Sequence, residues 1–189
     1  MRSTPPFSAD RPLIPFFLIM SSIFAAAFVG GFFAPASVQQ LAMAGFDEFV
    51  AQVRDMSGGA VFWFIFVHNV FVSLVLVVAG LLFGIVPVLA IGTNGLLLGV
   101  VYRKGVEAMG YADAALAILP HGIFEIPAVL FAAAYGLWLG VMVVRRVRGK
   151  GGLLLREYVA HAVRRYFGVA FPLFVIAASI ETFLMLRTP

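Results

Sequence analysis

Residues 114–144 read AALAILPHGIFEIPAVLFAAAYGLWLGVMVV, thirty-one positions holding one carboxylate, Glu125, and one imidazole, His121. As a single helix this stretch would extend roughly 46 Å, against a bilayer hydrocarbon core of about 30 Å. It suits lipid rather than the core of a water-soluble domain, and it must tilt or break. Leu119, Pro120, His121 and Gly122 supply the break at 120–122. A short re-entrant entry segment is therefore expected before a span over about residues 123–144.

Working outward, the same reading repeats. On the C-terminal side comes RRVRGKGG at 145–152. An amphipathic stretch follows, with Leu155, Tyr158, Val159, Ala162, Tyr166 and Phe167 on one face and Arg156, Glu157, His161, Arg164 and Arg165 on the other. It is expected to lie along an anionic membrane surface, with His161 solvated on its polar face and a last span over 168–186. On the N-terminal side, a short span over 86–102 is interrupted by Gly92, Thr93, Asn94 and Gly95, and a tight turn at 85–87 precedes it. A span over 60–84 opens with Phe62, Trp63 and Phe64, as at a headgroup boundary. Residues 37–56 read as a surface amphipathic helix and residues 13–34 as the first span. The apolar run of that first span is too long for a signal-peptide core, so it reads as a retained helix.

The expected fold is all-α: a polytopic transmembrane helical bundle of about five spans with interfacial amphipathic helices, one integral membrane domain over 1–189. Composition agrees, with 62% hydrophobic residues, 12% charged and a mean hydropathy of +1.04. The net charge of +4 does not read as a nucleic-acid footprint, because the basic residues concentrate beside apolar segments. The absence of cysteine excludes disulfides, thiolate metal sites and thiol nucleophiles. Seven Lys and Arg lie in 145–167 against Arg54 alone in 35–59. The basic stretch is thus expected in the cytoplasm, which places the N-terminus inside and the C-terminus outside a cell membrane crossed several times. Arg103 and Lys104 then fall outside, offset by Glu107 and Asp113.

Two groups of residues carry the functional reading. Glycines four apart, Gly80/Gly84, Gly95/Gly99 and Gly136/Gly140, form flat strips that let helices approach closely, within the bundle or between subunits of a homo-oligomer. Ionisable and amide side chains inside spans are costly unless paired or wet. They are His68, His121, Glu125 and Glu181, with Asn69 and Asn94. Counting along the spans puts them in the outer half of the bilayer, with Asn94 near the middle. His121 and Glu125, four apart, share one helix face. Two readings stay open: a polar cluster that fixes helix registry, or a site in which His68, His121, Glu125 and Glu181 hold zinc or another divalent metal. A transporter or channel, or an intramembrane metal-dependent hydrolase, could be built on the same residues. Against catalysis, no H-E-x-x-H, G-x-S-x-G or Ser/His/Asp grouping is present.

Three stretches, GLLFGIVPVLAIGTNGLLLG at 80–99, LPHGIFEIPA at 119–128 and AASIETF at 177–183, resemble the stage II sporulation protein M family. By motif the matching positions are Asn94, Gly95, Pro120, His121, Gly122, Glu125, Pro127 and Glu181. The family's adjacent asparagine pair in the second span stands here as His68-Asn69. The resemblance implies a scaffold of about five helices rather than a hydrolase, working with membrane lipids and other membrane or cell-envelope proteins. In spore-forming bacteria those partners remodel peptidoglycan during engulfment.

Overall fold

The computed structural model describes residues 13–54, 56–150 and 154–185; at Phe49, Val53, Pro120, His121, Glu181, Thr182, Leu184 and Met185 it describes the backbone alone. The described residues form α1 (Leu13–Phe32), α2 (Ala36–Val53), α3 (Gly58–Ala79), α4 (Ile85–Met109), α5 (Tyr111–Val147) and α6 (Leu155–Met185), with no strand among them. Five helical segments are long and apolar enough to cross a membrane: α1, α3, α4, Gly122–Val147 of α5 and Leu155–Ile180 of α6. The chain is a multi-pass membrane protein. α2 is the exception, since Gln39, Gln40, Asp47 and Glu48 interrupt its apolar positions. Pro35 precedes it, and the Gln39 side chain donates to the Ala34 carbonyl at 2.8 Å, tying its first turn to the end of α1.

α5 is the hub, packing against α1, α3, α4 and α6. Small side chains make this possible: Ala128, Ala132, Ala133, Ala134, Gly136 and Gly140 are all buried along it. In lipid, where apolar contact gives helices little reason to associate, close backbone approach supplies the packing energy. The glycine strips supply that approach. A Cβ on Gly80 would overlap the Gly136 carbonyl, one on Gly136 would overlap the Leu76 carbonyl and the Pro87 ring, and one on Gly140 would overlap the backbone of Phe83 and Gly84. The Gly80/Gly84 strip therefore packs on the Gly136/Gly140 strip of the same chain. The third strip packs inside the bundle too, Gly95 on the Phe24 carbonyl and Gly99 on that of Phe28, and Gly31 of α1 returns the contact at Leu96.

The α3–α4 turn sits beside Gly140 of α5, at the end of the bundle that carries Arg145, Arg146 and Arg148; we call this the basic end. α1 starts at the basic end and finishes at the opposite end, where Phe28 and Phe32 pack on Tyr102 at 5.7 and 5.8 Å. Arg103 stands 5.4 Å from the Phe32 ring centroid and, with Lys104, bonds Glu107 at 2.7 and 3.0 Å. Glu107 thus offsets both cations locally.

Four expectations are corrected. The turn lies at residues 80–84, not 85–87: Phe83 and Gly84 take positive φ of 57° and 77° and reverse the chain, while Pro87 occupies the first turn of α4, where its missing N–H costs nothing. The 92–95 stretch does not interrupt its span. α4 is continuous, because Gly95 is held against α1 and the Thr93 hydroxyl donates to the Leu89 and Ala90 carbonyls at 2.6 and 3.2 Å within the helix. The helix also continues through 120–122, so the chain does not re-enter there. The helix is 37 residues long, with Asp113 in its first turn and Arg145 and Arg146 in its last. Finally, the expected surface helix and last span are one helix, α6. Tyr158, Ala162 and Tyr166 continue the buried stripe of Ala170 and Phe174, which packs on α3 and α5 rather than lying on the surface.

Candidate functional site

Gly136 is the point where three helices meet. Leu76 and Gly80 of α3 and Pro87 of α4 all press on it. From this vertex the polar residues of the spans can be placed by helical register. Asn69 lies eleven residues before Gly80, and Glu125 eleven before Gly136. Eleven residues make three turns, so each shares the face of its glycine, about 16 Å toward the opposite end. Asn94 lies seven residues past Pro87 on antiparallel α4, two turns along the same face. The α3, α4 and α5 faces that touch at Gly136 therefore carry Asn69, Asn94 and Glu125 within about one turn of a common level.

Exposure rises away from the vertex. Gly80 and Gly136 are buried, whereas Asn69 and Glu125 are half-buried and Asn94 is exposed. Glu125 Oε2 is nonetheless withdrawn from the surface. Among the described residues, neither the Asn69 nor the Asn94 side chain makes a hydrogen bond. Asn94 is nine residues from Ile85 and nine from Arg103, the middle of its span. Helical register thus gives α3, α4 and α5 one polar residue each, Asn69, Asn94 and Glu125, at a similar distance from the vertex.

His68 is exposed on α3, with its ring stacked on Phe64 at 6.3 Å, and it neighbours Asn69 in sequence. The side chains of His121 and Glu181 lie outside the described residues. Their backbone positions are set: His121 is one turn beyond Glu125 on α5, and Glu181 is near the far end of α6. His161 packs opposite Trp138, so Glu181 stands twenty residues beyond that level and Glu125 thirteen. The difference places the Glu181 backbone about 10 Å farther from the basic end than Glu125. Among the described residues, no three His, Cys, Asp or Glu side chains gather to hold a metal.

Two polar features escape a reading by sequence. Tyr166 of α6 and Ser73 of α3 are buried and joined at 2.8 Å; the phenol also donates to the Val70 carbonyl at 2.9 Å, and Ser73 Oγ to the carbonyls of Asn69 and Val70. The only sign of this lock is a serine in an otherwise apolar run. His161 is not solvated, as its polar-face position suggests. Its ring lies 6.0 Å from Tyr135 and 5.8 Å from Trp138, with Nε2 buried between α5 and α6. The matching three-residue spacings of Tyr135/Trp138 and Tyr158/His161 are the signal for this aromatic seam, in which Tyr158 packs on Trp138 at 5.5 Å.

The family sequence model described as Stage II sporulation protein M matches residues 16–185, nearly the whole chain. The chain belongs to the stage II sporulation protein M family. No curated protein and no solved structure matches it. The stage II sporulation protein M match takes in α3, α4 and α5 together with the Asn69, Asn94 and Glu125 positions. It thus spans both the glycine vertex and the polar level above it.

Proposed function

We propose that this stage II sporulation protein M family member is a non-enzymatic integral membrane scaffold that organises membrane or cell-envelope partners. The observation that supports this reading most is the glycine vertex. Three spans meeting at Gly136, α3 and α5 backbone to backbone and α4 through the Pro87 ring, make a rigid frame, and such a frame presents fixed surfaces to lipid and to neighbouring proteins. The polar level formed by Asn69, Asn94 and Glu125 contributes by specifying registry, since a slip of any of the three helices would carry a costly group into lipid.

In this reading the basic end is cytoplasmic, with Arg145, Arg146, Arg148, Lys150 and Arg156 at the anionic inner surface, the N-terminus inside and the C-terminus outside. The transporter reading rested on an interrupted third span, and continuous α4 removes that support. The hydrolase reading needs His68, His121, Glu125 and Glu181 around one zinc ion, and the register sets the Glu181 backbone about 10 Å beyond Glu125.

The test is purification of the tagged protein from its native membrane in mild detergent. A stoichiometric complex with an envelope protein, lost when Gly136→Leu loosens the frame, is the expected result. Zinc-dependent proteolysis or peptidoglycan cleavage by the isolated chain would overturn the proposal.

A further inference from the structure

We infer that the step where the α3–α4 turn meets the projecting end of α5 binds an anionic phospholipid, its phosphate on Arg145, Arg148 and Lys150 and its acyl chains on Leu82, Phe83 and Ile85. This goes beyond the general attraction of basic residues to an anionic surface, because it assigns one place. It stands apart from the scaffold reading.

The step follows from one contact. Gly140 abuts the backbone of Phe83 and Gly84, so the turn ends at that level while α5 runs on to Val147. Val144 and Val147, one and two turns farther, continue the face of Gly140 past the turn, with Arg148 at the edge of that face. Arg145 and Arg148 stand about 8 and 12 Å beyond the turn along the helix. α4 carries no charge from Ile85 to Arg103, about 27 Å, which is nearly the thickness of the hydrocarbon core. The turn therefore sits at the edge of the core and the arginines among the headgroups.

The turn suits acyl chains. No polar side chain lies between Ser73 and Thr93, and Leu82, Phe83 and Ile85 are exposed. The N–H groups of Gly80, Leu81, Leu82, Gly84 and Ile85 all donate to carbonyls within 76–82, so the turn asks little of water. Phe83 takes a φ of 57°, which is costly for a bulky residue; conformation alone would favour Gly or Asn there.

The cations are held on an ordered helix end. α5 closes at Gly149 with a φ of 70°, the Lys150 N–H donating to the Arg145 carbonyl at 2.8 Å and the Gly149 N–H to that of Arg146 at 3.0 Å. Arg145, Arg148 and Lys150 are exposed and make no ion pair among the described residues. Glu157, at the start of α6, is engaged by the Leu154 N–H at 2.8 Å. Cations above an apolar floor match a phosphate above acyl chains, whereas an acidic peptide would leave the floor uncovered.

The experiment is thermal unfolding of the full chain in dodecyl maltoside micelles that contain the same mole fraction of phosphatidylglycerol or of phosphatidylcholine. With phosphatidylglycerol tenfold above its apparent Kd, the melting temperature is expected to be higher by about 3–6 °C. The rise should vanish in the triple variant Arg145→Gln, Arg148→Gln, Lys150→Gln and persist in Arg54→Gln, at the opposite end. It should shrink in Phe83→Asn, which suits the positive φ but removes the ring. The wild-type comparison is readable even if the triple variant fails to fold. No rise, an equal rise with phosphatidylcholine, inorganic phosphate or poly-glutamate, or a rise undiminished in the triple variant or in Phe83→Asn would each overturn the assignment. None of these outcomes depends on whether the protein captures an envelope partner.

Discussion

Gly80 and Gly136 abut so closely that a methyl group on either would enter the other helix's backbone. The contact joins α3 to α5 just where the chain turns into α4, and it fixes the levels of every polar residue farther along those helices. Replacing Gly136 by Ala forces α5 away from both Leu76 and Pro87, because neither a carbonyl nor a proline ring can yield as a flexible side chain would. We expect a loss of about 1–3 kcal/mol, read as a lower melting temperature in detergent. Gly92→Ala is the control. No atom lies within 4 Å of a Cβ there, so helix propensity alone predicts no loss or a small gain.

The Tyr166–Ser73 lock is tested by a double-mutant cycle. Tyr166→Phe removes a hydroxyl that bonds both Ser73 Oγ and the Val70 carbonyl across the α3–α6 interface. Interhelical hydrogen bonds in membranes contribute about 0.6–2 kcal/mol. Tyr166→Phe and Ser73→Ala should each destabilise by an amount in that range, and the double variant by less than their sum.

The seam around His161 predicts a steric result rather than an electrostatic one. The imidazole is held between Tyr135 and Trp138, so His161→Ala leaves a void against two rings and should lower the melting temperature. His161→Phe, which refills the space, should recover most of the loss. If His161→Ala melts like the wild type, the ring is not part of the packed interface.

Orientation is accessible to labelling because the chain contains no cysteine. A cysteine at Lys150 should react with a membrane-impermeant maleimide only after the membrane is opened, and one at Gln40 of α2 should react in intact cells. The reverse pattern would invert the topology while leaving the fold unchanged.

Hydropathy and glycine spacing made much of the fold legible. The five spans follow from apolar runs, and the Gly80/Gly84 and Gly136/Gly140 strips mark two helices that turn out to be one another's partners. What stayed hidden depends on information that local sequence does not hold. Gly92 to Gly95 look like a helix breaker in isolation, yet the neighbouring α1 makes Gly95 a contact and Thr93 caps its own carbonyls. The polar face of residues 155–167 looks solvated until α5 is set against it and encloses His161. In the candidate site, the depths of His68, Asn94, Glu125 and Glu181 could be counted from span ends, but the common face of Asn69, Asn94 and Glu125 could not, because it requires knowing that Gly80, Pro87 and Gly136 meet.

That convergence is the central claim, and the cysteine-free chain allows it to be measured directly in membranes. The pairs Asn69→Cys with Glu125→Cys and Asn94→Cys with Glu125→Cys should each be bridged within one chain by a short bifunctional thiol reagent. Val67→Cys with Leu89→Cys, both exposed on outward faces, should not. Bridging of the outward pair, or failure of both pairs that include Glu125→Cys in a protein that still folds, would contradict the account.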